Sequence, residues 1–246
     1  MKQRLDSLLV SRGFTHSREQ AARLILAGLV KVNGVLIDKR GKVVKADVSL
    51  TLDSPSSAFV SRAGEKLSAA LDTLRLSCRE VIALDVGAST GGFTDCLLQR
   101  GAHRVYAVDV GYGQLDYTLR NDPRVVVLER CNIRYLDREA VPEPIDLAVV
   151  DVSFISLKLV LPCVLRFLAE QATVITLIKP QFEVGKGLVG KGGVVRNETQ
   201  RQVVKQEIIT YAETIGLRFL SALDSPIIGR KGNKEILAGF RRPLSV

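Results

Sequence analysis

The feature that most narrows the fold is a short apolar run that carries one acid and then breaks into glycine. It reads Val81-Ile82-Ala83-Leu84-Asp85-Val86-Gly87, followed by Ala88-Ser89-Thr90-Gly91-Gly92-Phe93-Thr94-Asp95. A near-continuous hydrophobic strand is the signature of a parallel strand buried on both faces. The glycines after it allow a tight turn and close backbone approach to a ligand, and the helix start that follows exposes backbone amides. Open α/β sheets place their ligands at this carboxyl end. Asp109 closes the next apolar strand, near the usual offset for a carboxylate that binds a ribose diol, so a nucleoside-containing ligand is implied.

The rest of the chain repeats the alternation. Further strands are expected over 105–110, 125–128, 147–151 and 174–178, with helices over 64–76, 94–100, 115–120, 157–168 and 198–215. Residues 217–223 and 235–240 look like a closing antiparallel pair. A dinucleotide site prefers Gly-x-Gly-x-x-Gly, whereas here Gly87 is followed by Gly91 and Gly92. Asp85 would be awkward beside a pyrophosphate and comfortable beside a cationic amino-acid portion. Asp85-x-Gly87 with Asp109 resembles the S-adenosylmethionine pattern of Rossmann-like methyltransferases. That resemblance implies a cofactor site from Asp85, Gly87, Ser89, Thr90, Gly91, Gly92, Phe93 and Asp109, with Asn132 on the adenine. Cys131 reads as an apolar wall and Asp146 as surface or loop packing.

The first quarter is different. Leu5, Leu8 and Leu9 stand at helical spacing, with Met1-Lys2-Gln3-Arg4 leading directly into that helix, and Gly13 breaks it. Ser17 can cap a second helix with Gln20 as its capping-box partner, and Ala21, Ala22, Ile25, Leu26 and Leu29 line one face. Asn33-Gly34 between Val30-Lys31-Val32 and Val35-Leu36-Ile37 signals a hairpin, and further short strands are expected at 43–44 and 48–52. Residues 1–62 carry eleven Lys or Arg against five Asp or Glu, which is most of the net charge of +9 on 246 residues. Such a field favours polyanionic partners. A boundary is expected at the small, polar stretch Asp53-Ser54-Pro55-Ser56-Ser57-Ala58, giving domains 1–53 and 62–246 joined by a linker over 54–61.

No apolar run approaches the roughly 18 residues that cross a bilayer, and no signal peptide is visible. The four cysteines are widely spaced, with no Cys-x-x-Cys and no metal site expected. A reduced, cytoplasmic protein without integral membrane association is the simpler expectation.

The first segment resembles the small α+β RNA-binding domain of a small-subunit ribosomal protein, shared by pseudouridine synthases and tyrosyl-tRNA synthetases. Arg4-Leu5-Asp6, Ser17-Arg18-Glu19-Gln20-Ala21 and Gly28-Leu29-Val30-Lys31-Val32-Asn33-Gly34 carry the resemblance. It implies RNA contacts by Arg4, Arg18, Arg23 and Lys31.

Two later strand ends carry the chemistry. One ends at Asp151, before Val152-Ser153-Phe154, and the next at Lys179, before Pro180-Gln181-Phe182. Adjacent parallel strands would set the two side by side on the ligand face, where buried charge must be paired. The glycine-rich, basic loop over 185–196 suits closure on a phosphate backbone, through Lys186, Lys191 and Arg196, and Arg230-Lys231-Gly232-Asn233-Lys234, just before Glu235, offers a second basic edge.

With Val60-Ser61-Arg62-Ala63-Gly64-Glu65-Lys66-Leu67, Val150 to Ser156 and Ile178 to Glu183, the chain resembles the TlyA/hemolysin A family. Its catalytic domain is similar to the FtsJ-type ribose 2′-O-methyltransferases. The resemblance implies α/β architecture, a Rossmann-like methyltransferase sheet behind the small RNA-binding domain. It further implies a Lys-Asp-Lys-Glu tetrad at Lys66, Asp151, Lys179 and Glu235, an RNA contact at Arg62, and 2′-O-methylation of cytidine ribose in ribosomal RNA or ribosomal subunits. The competing expectations are a non-catalytic RNA-binding ribosome-assembly factor and a hemolysin-like membrane-active protein.

Overall fold

The structure is a computed structural model that describes residues 2–15, 17–26, 28–39, 41–52, 58–185, 189–190, 192–229 and 232–244. It divides into two compact units, Met1–Ser61 and Arg62–Val246. Of the expected linker over 54–61, residues 54–57 lie outside the described residues.

The first unit contains β1 (Lys2–Arg4), α1 (Leu5–Ser11), α2 (Arg18–Leu26), β2 (Val30–Val32), β3 (Val35–Ile37), β4 (Val43–Lys45) and β5 (Leu50–Leu52). Leu5, Leu8 and Leu9 of α1 pack with Ala21 and Ile25 of α2 and with Val30, Val32, Val44 and Leu50. Asn33 and Gly34, both at positive φ (51° and 78°), turn β2 into β3 as an antiparallel hairpin. Ser17 Oγ accepts the Gln20 amide at 3.1 Å, the cap expected for α2. The amino terminus runs directly into α1 at Leu5 as expected, but Lys2–Arg4 before it is a strand that the sequence did not signal, because Gln3 pairs with Val44 on β4.

The second unit contains α3 (Ala63–Thr73), β6 (Ile82–Val86), α4 (Gly92–Gln99), β7 (Arg104–Asp109), α5 (Tyr117–Arg120), β8 (Val125–Glu129), β9 (Ile145–Val150) and α6 (Leu157–Leu165). It continues with β10 (Leu168–Ile178), α7 (Pro180–Glu183), α8 (Glu198–Thr214), β11 (Arg218–Asp224) and β12 (Ile236–Arg241). Seven strands form one sheet in the order β11-β12-β10-β9-β6-β7-β8. Strands β6 to β10 are parallel, and β12 runs antiparallel to both β10 and β11. Fully buried Leu84, Ala148, Val150, Val174 and Ile178 of the central strands pack with Leu161 and Val164 of α6 and Ile208 of α8.

The chain leaves β6 toward β7 and β8, then returns to place β9 on the other side. This reversal opens a crevice at the carboxyl ends of β6 and β9, the usual ligand position of a doubly wound sheet. One boundary differs from the sequence expectation. Helix α6 stops at Leu165 and β10 begins at Leu168, which pairs with Ile145 before a register shift ahead of Thr173. The Arg242 guanidinium donates to the carbonyls of Leu165 and Leu168, and Gln171 takes φ 59° at the irregularity. These distant tertiary contacts override the helical pattern over 166–168.

Candidate active site

The crevice is built by close backbone approach. Asp151 N donates to Val86 O at 2.9 Å, and a Cβ added to Gly87 (φ +90°) would lie 2.4 Å from Asp151 O. Only glycine fits there. Two residues earlier, Asp85 is fully buried. Its Oδ2 accepts the Thr94 hydroxyl at 2.7 Å, from the first turn of α4, while Oδ1 has no partner. Burial, then repulsion from Asp151 and Asp109, outweighs the Thr94 bond and pushes its carboxyl up to about 7.

The rest of the glycine turn divides between ligand face and scaffold. Ser89 N and Gly111 N donate to the two oxygens of Asp109 at 2.8 and 2.6 Å, tying the turn to the end of β7. Ser89 Oγ donates to Gln114 Oε1 at 3.3 Å, and Thr90 O accepts the Asp116 amide. Gly91 (φ +94°) caps α4, where a Cβ would meet Leu119 Cδ1 at 2.3 Å. Gly92 and Phe93 are buried at the start of α4, so Phe93 packs in the interior. Asn132 acts locally, since its Oδ1 accepts the Arg134 amide at 3.1 Å and caps a short 3₁₀ turn. Asp146 accepts the Ile82 amide at 2.9 Å.

The tetrad residues form two ion pairs. Lys179 Nζ lies 2.5 Å from Asp151 Oδ1 and donates to Ser153 Oγ at 2.9 Å, whereas Lys66 Nζ donates to Glu235 Oε2 at 2.6 Å. The strand register explains why they share one end of the sheet. Ile178 faces Ile236 across the antiparallel β10–β12 ladder, so Lys179 and Glu235 stand one position beyond that pair at the same edge. Asp151 leaves the parallel neighbour β9 there, and α3 brings Lys66. Glu235 is itself held in a tight cradle, since a Cβ on Gly229 would lie 2.4 Å from its Oε1. Buried Asn233 accepts the Val195 amide at 3.0 Å and donates to Gly193 O at 2.9 Å, joining the Glu235 loop to the glycine-rich loop before α8.

Sequence reasoning singled out neither Phe154 nor Phe182. Phe154 sits at φ 65° and is 90% exposed as a residue, and its ring centroid lies 4.9 Å from that of Phe182. The strand ends that carry Asp151 and Lys179 thus also carry an aromatic pair. An aromatic residue three places after a strand-end acid was the available signal.

In the first unit, buried Asp6 accepts from Arg4 at 2.8 Å and Arg18 at 3.2 Å, leaving both guanidinium groups about half exposed. Arg23 and Lys31 are half-buried on α2 and β2. In the second unit, Arg62 precedes α3 and Arg196 precedes α8, both exposed. Lys186, Lys191, Arg230 and Lys231 lie outside the described residues.

A doubly wound seven-stranded sheet with an acid-bearing glycine crevice and paired lysines at the same edge defines a Rossmann-like methyltransferase. The chain belongs to the FtsJ-like methyltransferase family, which it matches over residues 59–242, and residues 3–49 match the S4 domain. It is 46% identical over 239 residues to the 16S/23S rRNA (cytidine-2′-O)-methyltransferase TlyA of Mycobacterium tuberculosis, covering 97% of this chain and 89% of that one. It is 43% identical to Hemolysin A of Brachyspira hyodysenteriae, covering 96% of this chain and 99% of that one. A solved hemolysin-named protein from Streptococcus thermophilus is 41% identical, with a TM-score of 0.77 over 99% of this chain and 90% of that one.

Proposed function

We propose that this protein transfers a methyl group from S-adenosylmethionine to a cytidine ribose 2′-hydroxyl in ribosomal RNA. The observation that carries the reading is one sheet edge holding both a buried acid with an unpartnered oxygen and two lysine–carboxylate pairs. The name of the M. tuberculosis relative supports the same reaction and substrate.

The residues present fit the cofactor. Asp85 Oδ1, buried without a partner, suits a cationic amino-acid portion; the Ser89–Gly92 turn and Asp109 suit a ribose; and Asn132, following β8, is the residue we assign to the adenine. When bound, S-adenosylmethionine supplies an electrophilic methyl group on a sulfonium cation.

A ribose hydroxyl is a poor nucleophile at neutral pH, so it must be aligned and its developing negative charge stabilised. Lys179 and Lys66 supply ammonium donors to that oxygen. Asp151 and Glu235 orient those donors and balance their charge in a partly dry site. Held between Asp151 and Ser153, Lys179 acts as orienting donor and oxyanion stabiliser, with proton loss coupled to methyl transfer. Phe154 and Phe182 offer an apolar face on which an unstacked base can lie.

The first unit, with Arg4, Arg18, Arg23 and Lys31, docks the RNA through its phosphates, and Arg62, Lys186, Lys191 and Arg196 are the phosphate contacts we assign to the second unit. We assign the RNA-docking domain to residues 1–53 and the catalytic domain to 62–246, with 54–61 as the linker within the first unit's range. A ribosomal substrate places the work in the cytoplasm. The hemolysin name of two relatives is not favoured as an activity, because among the described residues no helix is long and apolar enough to cross a membrane.

The test is incubation with labelled S-adenosylmethionine and ribosomal subunits from a strain lacking this gene, followed by mapping of the modified nucleotide. A cytidine 2′-O-methyl product, lost in Lys179→Ala, is expected. A methylated base, or undiminished transfer by Lys179→Ala, overturns the reading.

A further inference from the structure

We infer that Glu183 is a positioning residue for methyl transfer, holding the loop that carries Asp151 and Phe154 at a fixed distance from the loop that carries Lys179 and Phe182. The inference rests on the tetrad reading and adds to it a residue that does not touch the reacting atoms.

Three rungs join the two loops. The first is Lys179, bonded to Ser153 and paired with Asp151. The second is the contact of Phe154 with Phe182. The third is Glu183, whose Oε2 accepts the Ser156 hydroxyl at 2.6 Å and whose Oε1 accepts the Leu157 amide at 2.9 Å, across 27 and 26 positions of sequence. The first two rungs include groups that a substrate must approach. The third engages only Ser156 and Leu157, neither of them a reacting group.

Helix capping alone does not account for this carboxylate. Ser156 already caps α6, its Oγ accepting the Lys158 amide at 3.1 Å. Glu183 comes from a different element, the last residue of the one-turn α7 that starts directly after Lys179. That turn is stiff: Pro180 fixes its first residue, Phe182 N donates to Lys179 O at 2.9 Å, and Val184 N to Pro180 O at 3.0 Å. Fixing Glu183 against Ser156 and Leu157 therefore fixes the backbone of Lys179 and Phe182 against the opposite loop.

The arrangement also has an energetic cost. Burial raises the Glu183 carboxyl above its ordinary value, more than its two donors lower it. Lys158, a cation that acts on it, is bonded to Glu207 at 3.0 Å. A half-buried carboxylate held by neutral donors rather than by its own cation is a poor stabilising device, but a directional two-pronged one. Across from it, Phe154 is kept at positive φ, a strained conformation that persists only when its surroundings hold it.

The experiment measures single-turnover methylation by the full chain at saturating S-adenosylmethionine and ribosomal subunits, alongside cofactor affinity and melting temperature. Glu183→Ala is expected to slow transfer about tenfold or more, because small misplacements of aligned groups are costly, with cofactor affinity within about threefold of the parent. Glu183→Gln keeps both prongs, its Oε1 accepting the Leu157 amide and its Nε2 donating to Ser156 Oγ, and is expected to return the rate to within about threefold of the parent. Ser156→Ala, lacking one prong, is expected to fall between.

A purely structural role would lower the melting temperature in Glu183→Ala and leave the saturated rate unchanged; that result overturns the inference. If Glu183→Ala fails to fold, the rates of Glu183→Gln and Ser156→Ala decide. A Gln variant slowed tenfold, or an undiminished rate in Ser156→Ala, overturns it. Lys179→Ala run in parallel separates the two readings: if it still transfers, the tetrad assignment falls, and if it is inactive while Glu183→Ala is unchanged, only the positioning role falls.

Discussion

Two buried aspartates, one in each unit, sit in opposite electrostatic situations. Asp6 of α1 accepts from Arg4, Arg18 and the Ser7 amide, which hold its carboxyl well below the usual range, the Arg4 bonds first. Asp85 of β6 has one hydroxyl partner, an oxygen with none, and two other carboxylates raising its proton affinity. The first is complete within the folded chain. Burying the second without a cation costs stability and leaves a defined place for positive charge, which is how a binding site differs from a structural ion cluster.

The largest expected effect comes from breaking that difference. Asp85→Asn should lower S-adenosylmethionine affinity at pH 8 by about 100-fold or more, since a charge-assisted bond in a dry site is lost. It should also stabilise the apo protein. Isothermal titration and chemical denaturation of one sample read both; unchanged affinity would remove Asp85 from the cofactor site.

Gly87→Ala should come next. Its Cβ, 2.4 Å from Asp151 O and at φ +90°, must push the ends of β6 and β9 apart. A destabilisation of about 2–4 kcal/mol is expected, with loss of transfer, because the same shift moves Asp151. A variant with parental melting temperature would contradict the close approach.

The comparison can be sharpened with pH. Asp85 is neutral in both folded and unfolded chains well below its unfolded value of 3.8; between there and about 7 only the unfolded chain ionises, so stability falls as pH rises through that window and levels above it. Asp85→Asn should flatten this slope. Cofactor affinity should run the other way, weakening by up to about tenfold per pH unit below 7, because the cation favours the ionised acid. An affinity independent of pH between 5.5 and 8, roughly the range spanning the Asp85 transition, would contradict the elevated carboxyl.

How much of this could be read in advance follows the range of the interactions. The apolar run ending at Gly87 announced β6, its turn and the crevice, because burial on both faces and a glycine break are local. Asp151 and Lys179 could be paired because consecutive parallel strands are often neighbours. Lys66 and Glu235 are 169 residues apart, and only family resemblance brought them together. Thr94 under Asp85, the Glu183 bonds and the strand pairing of Lys2–Arg4 were not legible, since each depends on a partner set by the finished fold. The capping of Arg134 by Asn132 was equally not read from the sequence, although Asn before a short turn is a local signal.

The smallest expected effect tests the other side of the comparison. Asp6 contributes through a depressed carboxyl, so its stabilisation is present above its unfolded value of 3.8 and is lost as pH falls below it. Arg4 and Arg18 are about half exposed, so solvent screening reduces what their pairing is worth, and Asp6→Asn should cost only about 1 kcal/mol near neutrality. Hydrogen exchange of the α1 and α2 amides isolates this unit from the rest of the chain. Protection should fall in Asp6→Asn at pH 7, and the gap to the parent should narrow progressively as pH drops below 3.8 toward the depressed folded value. If the Asn variant were instead more protected at pH 7, as Asp85→Asn is expected to be in its own unit, the two acids would be alike, and burial alone would not mark Asp85 as a place that waits for a cation.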